Sequence, residues 1–393
     1  MLTVMNMKRS GLFIIFFILI TLFTCIEPYD ARTKNFKSLL VVDGLVTDEN
    51  HSNYVVLTRT KASAGGKAEK VTGAQVIIKD DLGRETLLTE KNAGEYLTDS
   101  LHFRGEVGRS YSLYIKTSDE NEYESKPCLM YPSQELDSIS FVKESRIIDN
   151  EIRDGIRILA TSECDEDPAY YRWTYQEQWK FGVRYAPKYV YIGNGKVENN
   201  YAANVICFKG DNSSGLFVRQ SSISFSQPLE FFLPDESDRF TIKYKIKVRQ
   251  LSLSKDEYNF WTQMQMISES GGDIFDKQPF QVTGNVFNTK DELEKVLGYF
   301  QVSAATEKAK YITYAEIKQL KLPDYYPSCD TMTLSCGESI NSWDAIYEYA
   351  TNHGYEFVNP IYTDGVPGMV GMFFSKPECT DCTVTGSLNV PDF

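Results

Sequence analysis

From Phe240 to Val248 the chain alternates almost strictly. Phe240, Ile242, Tyr244, Ile246 and Val248 fall on one side, and Lys243, Lys245 and Lys247 on the other. A period of two is the signature of an extended strand, because successive side chains point to opposite faces. A strand with one apolar and one charged face belongs to a sheet that buries one side and wets the other. Tyr111, Leu113 and Ile115 repeat the pattern earlier in the chain. The sequence therefore predicts a mainly β protein.

Further strands follow from short apolar runs between turn residues. Leu39 to Val46 reads as a buried strand, Asp48-Glu49-Asn50 as a turn, and Tyr54 to Leu57 as the returning strand. Ala74 to Ile78 leads into a hairpin turn at Asp80-Asp81-Leu82-Gly83, followed by Thr86 to Leu88, Gly94 to Tyr96 and Gly108 to Ile115. Short strands with turns every 8 to 12 residues predict an immunoglobulin-like β-sandwich over residues 38–130. Pro127 to Ser133 is the expected junction, and residues 134–393 are expected to form a larger β-rich domain with a few short helices. Ile156 to Ala160 and Tyr171 to Tyr175 are strand-like. Ser254 with Glu257 starts a helix as a capping box, with Tyr258, Trp261, Met264 and Met266 as its apolar stripe. Trp343 to Tyr349 reads as a second short helix.

The first 25 residues follow a different logic. Lys8 and Arg9 precede an uncharged apolar stretch from Gly11 to Phe23. About 20 apolar residues are needed to span a bilayer, so this shorter run reads as a secretory signal. It closes on Leu22-Phe23-Thr24-Cys25, which resembles a lipobox, with Thr24 where Gly or Ala is usual. Residues 1–24 are then a lipoprotein signal peptide, Cys25 carries the lipid, and 25–37 form a tether. A lipid on Cys25 attaches the body to the membrane.

Seven cysteines follow Cys25, and an exported chain permits disulfides. Cys329, Cys336, Cys379 and Cys382 cluster near the C-terminus in two short spacings. Four thiolates can hold zinc or form two bridges, and export favours bridges. Cys164 with Cys207 is a candidate third bridge, which leaves Cys128 as a buried thiol.

Several segments together resemble one family: Cys25-Ile-Glu-Pro-Tyr, Leu40-Val-Val-Asp-Gly-Leu-Val-Thr-Asp, Gly73-Ala-Gln-Val, Gly94-Glu-Tyr and Gly108-Arg-Ser-Tyr-Ser-Leu. Gly284-Asn-Val-Phe-Asn, Leu297-Gly-Tyr-Phe and Cys379-Thr-Asp-Cys extend the match. Their order is similar to that of an uncharacterised group of Bacteroidetes outer-membrane lipoproteins, classed as a domain of unknown function. The acidic residues after Cys25 look like the surface-export signals of such lipoproteins. The resemblance implies an outer-membrane location, periplasmic or cell-surface facing. It also implies a TonB-dependent β-barrel transporter as partner, and it supplies no catalytic residues. Asp99-Ser100-Leu101, Asp137-Ser138-Ile139 and Asp330-Thr331-Met332 match the O-glycosylation triplets of exported Bacteroidetes proteins. Chance supplies about one such triplet at ordinary composition.

The remaining residues narrow the chemistry. The net charge is −13, and no basic run interrupts it, so nucleic acid is set aside as a partner. His51, His102 and His353 are the only histidines, and none lies in a recognisable hydrolase, metalloprotease or nucleotide-binding motif. No cofactor or metal site is expected. Glu163, Asp165, Glu166 and Asp167 form the densest acidic group but lack the spacing of a calcium loop. Nine aromatic residues crowd Tyr170 to Tyr191. Most are expected in the core, with Trp179 and Tyr185 as candidates for an exposed ligand face. The expected function is a non-enzymatic accessory or binding lipoprotein that assists uptake by the transporter. An extracellular glycan-acting hydrolase and an adhesin or structural envelope module are the alternatives.

Overall fold

The fold is described from a computed structural model for residues 38–61, 68–148, 150–162, 169–212, 215–221, 229–234, 237–269, 282–322, 328–337 and 341–391. The expected signal peptide and tether, Cys25 among them, and the stretch 163–168 with Cys164 and its acidic neighbours lie outside the described residues. The chain is mainly β, and its alternating sequences occupy strands. Tyr111, Leu113 and Ile115 lie on the strand Ser110–Lys116 and are all buried. Tyr244, Ile246 and Val248 lie on Lys243–Leu253 and have no exposed surface.

Two sheets share the first core. In one, the order is Leu297–Ser303, Leu40–Thr47, Tyr54–Arg59, Glu95–Leu97 and Thr89–Asn92. In the other it is Val286–Asn288, Glu122–Ser125, Ser110–Lys116, Gln75–Asp80 and Glu85–Leu87. Leu40, Val42, Val55 and Leu57 meet Val76, Ile78, Leu113 and Ile115 between them. This two-sheet packing is compatible with the immunoglobulin-like expectation. The expected boundary at residue 130 needs correction, because two strands from beyond residue 285 belong to this body. Leu297–Ser303 runs parallel beside Leu40–Thr47, and Phe300 and Val302 enter the same core. The domain is thus discontinuous in sequence.

Gly298 makes that return fit. It sits at φ +85°, and a Cβ there would stand 1.9 Å from the Val42 carbonyl oxygen. Only glycine allows the two backbones to approach so closely in this conformation.

The second body also pairs two sheets. Ser138–Ile148, Glu151–Thr161 and Leu229–Pro234 form one of them. Ile206–Asn212, Ala169–Gly182, Lys243–Leu253 and Ala305–Ile312 form the other, with Phe217–Ser221 also on the Ala169–Gly182 strand. Ile156 and Ile158 pack against Trp173, Ile246 and Val248 across the core. The chain passes from one body to the other at buried Ala304. Its N–H donates to Ser252 Oγ at 3.0 Å, and that hydroxyl donates to Tyr131 O at 2.7 Å.

The capping box places a helix at Lys255–Glu269. Ser254 N–H donates to Glu257 Oε2 at 2.7 Å, and Glu257 N–H donates to Ser254 Oγ at 3.2 Å. Glu257 Oε1 also accepts Val302 N–H at 2.9 Å, tying the helix start to the returning strand. Phe260, absent from the expected stripe, is its buried apolar anchor and stacks on Tyr299 at 4.6 Å, whereas Met266 is exposed. A third unit follows, with Thr331–Leu334, Gly371–Ser375 and Glu356–Ile361 as its sheet and the helix Trp343–Asn352 upon it. The short helix Tyr314–Gln319 was not expected, although Thr313 and Glu316 form a full capping box for it.

Candidate functional site

The sheet that carries the lysine alternation also carries the most distinctive surface. Lys180 and Lys243 stand directly opposite one another across the antiparallel pair. Two residues further along the same face, Lys245 stands opposite both Gln178 and Tyr311. The ammonium of Lys243 lies 4.6 Å from the Tyr311 ring centre, and that of Lys245 lies 5.4 Å from it. Lys180 lies 5.9 Å from the Phe208 ring. These groups line a shallow cavity of about 230 Å³, with Val390 at its rim. Gln178 anchors the rim by donating to Pro391 O at 2.7 Å.

Trp179 lines this cavity but is not an exposed platform. It is only 6% exposed, and its Nε1–H donates to Asp238 Oδ1 at 2.8 Å. The Arg239 guanidinium lies 4.4 Å from its ring. Burial of a tryptophan is favourable when its N–H finds an acceptor, and Asp238 supplies one. Tyr185 is half-buried and packs edge-on against Phe373 at 5.1 Å. The expectation of Trp179 and Tyr185 as an exposed ligand face is therefore corrected. The surface ring beside the cavity is Tyr311, 48% exposed, which the sequence reading missed. The lysine row was legible, but Lys180 and Tyr311 join it only through strand register.

Beneath this face lies a charge network centred on buried Glu177. Arg239 donates from Nε and Nη2 to Glu177 Oε1 at 2.8 and 2.6 Å, and Tyr244 O–H donates to Glu177 Oε2 at 2.8 Å. Burial, then the Glu177 carboxylate, push the Tyr244 phenol well above its ordinary range. The network fixes the turn Asp238–Phe240 against the sheet, and Lys209 adds a 2.6 Å ion pair to Asp238.

A larger cavity, about 700 Å³, opens at one end of the sandwich between Asp48, Asp80, Arg84, Ser100, Arg104 and Glu106. Its charges are mutually engaged. Arg84 pairs with Asp80 at 2.5 Å and with Glu106 at 3.3 Å, and Arg104 bonds the Asp48 carbonyl. Ser100 is half-buried on this cavity, while Ser138 and Thr331 are exposed. The histidines are dispersed. His51 meets Glu49 at 3.0 Å, His102 meets Asp99 at 2.7 Å, and His353 caps a helix.

The cysteines pair differently from the expectation. Cys329 bonds Cys379, joining the two C-terminal pairs, but Cys382 bonds Cys207. Cys336 is free and exposed. The proposed Cys164–Cys207 bridge and the four-thiolate zinc site are thereby both excluded. Cys128 is free and buried, and burial pushes its thiol up to about 12. A thiol so hard to ionise is a poor nucleophile. Among the described residues no cluster of three metal-binding side chains occurs, and no helix is long and apolar enough to cross a membrane.

A family described as a domain of unknown function (DUF4249) matches residues 26–309, more than two thirds of the chain. The chain belongs to this family. The DUF4249 range takes in the sandwich with the strands that return to close it, and the second body's strands from Ser138–Ile148 to Lys243–Leu253. It ends inside Ala305–Ile312, before the third unit and the Cys379-Thr-Asp-Cys segment. No curated protein matches the chain.

Proposed function

We propose that the chain is a non-enzymatic, lipid-anchored envelope protein that presents a binding face to an outer-membrane transporter of the TonB-dependent type. The observation that carries this reading is the lysine–tyrosine cavity, where cations gather around an exposed ring on a chain of net charge −13. A concave site with a few convergent polar groups is the usual form of a small-ligand site. Attachment through Cys25 is supported by its position at the end of the apolar run. Two disulfides suit an oxidising compartment outside the cytoplasm. The Bacteroidetes lipoprotein context rests on the sequence resemblance described above.

Purification of the tagged chain from native membranes tests the reading. A β-barrel transporter should co-elute in stoichiometric amount, and Cys25→Ala should move the protein to the soluble fraction. Recovery of the chain without a barrel partner removes the accessory role. An equally membrane-bound Cys25→Ala chain removes the anchor.

A further inference from the structure

We infer that the lysine–tyrosine cavity binds the acidic end of a saccharide, with a uronate carboxylate on the ammonium cluster and the sugar ring against Tyr311. This rests on the reading of the chain as a binding module and names the ligand class of that same site.

The first ground is positive charge without a counter-ion. Lys180 and Lys243 are cross-strand partners, and like charges directly opposite one another destabilise a sheet. Lys245 is the next same-face residue, about 7 Å along the strand. Among the described residues no carboxylate lies within ion-pair distance of Lys180 or Lys243. Elsewhere on the same sheet the fold pairs its lysines: Lys247 with Glu307 at 3.4 Å, and Lys209 with Asp238 at 2.6 Å. With 54 acids against 41 bases in the chain, a cation pair that meets only the Tyr311 and Phe208 rings and no carboxylate among the described residues is a departure from the local rule. An anion placed between the two ammoniums relieves it.

The second ground is the ring. Tyr311 is 48% exposed and sits within reach of two of the cations. An aromatic face beside a charge suits a ligand with an apolar ring surface and one anionic substituent. Size narrows the class further. About 230 Å³ is below the range of sites for drug-sized molecules, so the cavity takes one ring at the end of a chain. Nucleic acid and anionic lipid surfaces demand a long basic track, and the net charge of −13 opposes both.

Isothermal titration calorimetry on the full chain decides the matter, using digalacturonate, neutral galactobiose and inorganic phosphate. Digalacturonate should bind at least about tenfold more tightly than galactobiose, with an affinity that falls as salt rises. The Lys180→Gln/Lys243→Gln variant should lose that preference, and Lys243→Arg should keep it. Tyr311→Ala should weaken digalacturonate about tenfold while leaving phosphate unchanged. Without ligand, Lys243→Gln should raise the thermal midpoint, since it removes the repulsion; this readout also shows that the variant folds. Equal binding of acidic and neutral sugars overturns the inference. So does binding indifferent to the lysine pair, or phosphate binding as tight as digalacturonate. A chain ending at Pro391 lacks Asp392 and Phe393; uronate binding seen only in that variant assigns the cavity to the chain's own tail and overturns the inference too. Failure here leaves the membrane pull-down untouched, and loss of the transporter partner leaves the calorimetry untouched.

Discussion

The sandwich and the second body are both pairs of β-sheets, yet they are secured by different means. The sandwich has an aliphatic core, with Leu40, Val42, Leu57, Ile78 and Leu113 at its centre, and no disulfide among its described residues. Its closure comes from a strand that returns from far along the chain, Leu297–Ser303. The second body holds Trp173, Trp179 and Tyr244 in its core, buries Glu177 beside them with half-buried Arg239 paired to it, and is bound to the C-terminal region through Cys207–Cys382. One body depends on a non-local backbone pairing, and the other on covalent and ionic ties. The difference locates where each is vulnerable: the first at its shared edge, the second at its cross-links.

The largest expected effect tests the shared edge. A fragment of residues 38–133 lacks Phe300 and the edge pairing, so it should show no cooperative unfolding transition by circular dichroism. In the full chain, Phe300→Ala should cost about 3–5 kcal/mol in denaturant unfolding, as for other buried aromatics. A cooperatively folding fragment shows that the sandwich is self-sufficient and removes the contrast.

Cutting the cross-link should act on the other side. The Cys207–Cys382 bridge spans 175 residues, and loop-closure entropy assigns it at most about 5 kcal/mol. Cys207→Ser with Cys382→Ser should lower the denaturant midpoint reported by probes in the third unit while sparing probes in the sandwich. Uniform loss at both probes indicates one cooperative unit instead of two.

The joint between the bodies should respond to pH. Burial pushes the Glu257 carboxyl from its ordinary 4.5 up to about 7. In the unfolded chain it ionises at the lower value, so the folded form holds an extra proton in between. Its stabilising contribution is complete below pH 4.5 and is lost as pH rises to about 7, with a total of about 3 kcal/mol. Glu257→Gln should flatten that dependence in thermal melts across the window. A wild-type slope retained in the variant assigns the effect to other groups. The smallest effect belongs to Tyr244→Phe. It removes one hydrogen bond from Glu177 and should cost about 1–2 kcal/mol in denaturant unfolding. A neutral substitution means Arg239 alone satisfies the carboxylate.

Period-two alternation and local capping were legible in the sequence. They placed Ser110–Lys116, Lys243–Leu253 and the helix after Ser254, because each depends on neighbours within a few residues. Long-range partners were not. Nothing near Leu297 announces a parallel pairing with Val41, and cysteine spacing does not encode the Cys207–Cys382 bridge. Trp179 read as surface because its acceptor, Asp238, lies 59 residues away. The lysine row itself was plain, but its opposition to Lys180 and its contact with Tyr311 are properties of register.

The glycine contact at Gly298 has a consequence in time. Synthesis proceeds from the N-terminus, so Leu40–Thr47 emerges roughly 250 residues before the strand that covers its edge. At about 5–20 residues per second, that edge waits roughly 12 to 50 seconds for its neighbour. During this interval it is an open template for any other extended segment. Until residue 303 has appeared, a chain that has already folded its first strands offers that edge to its neighbours.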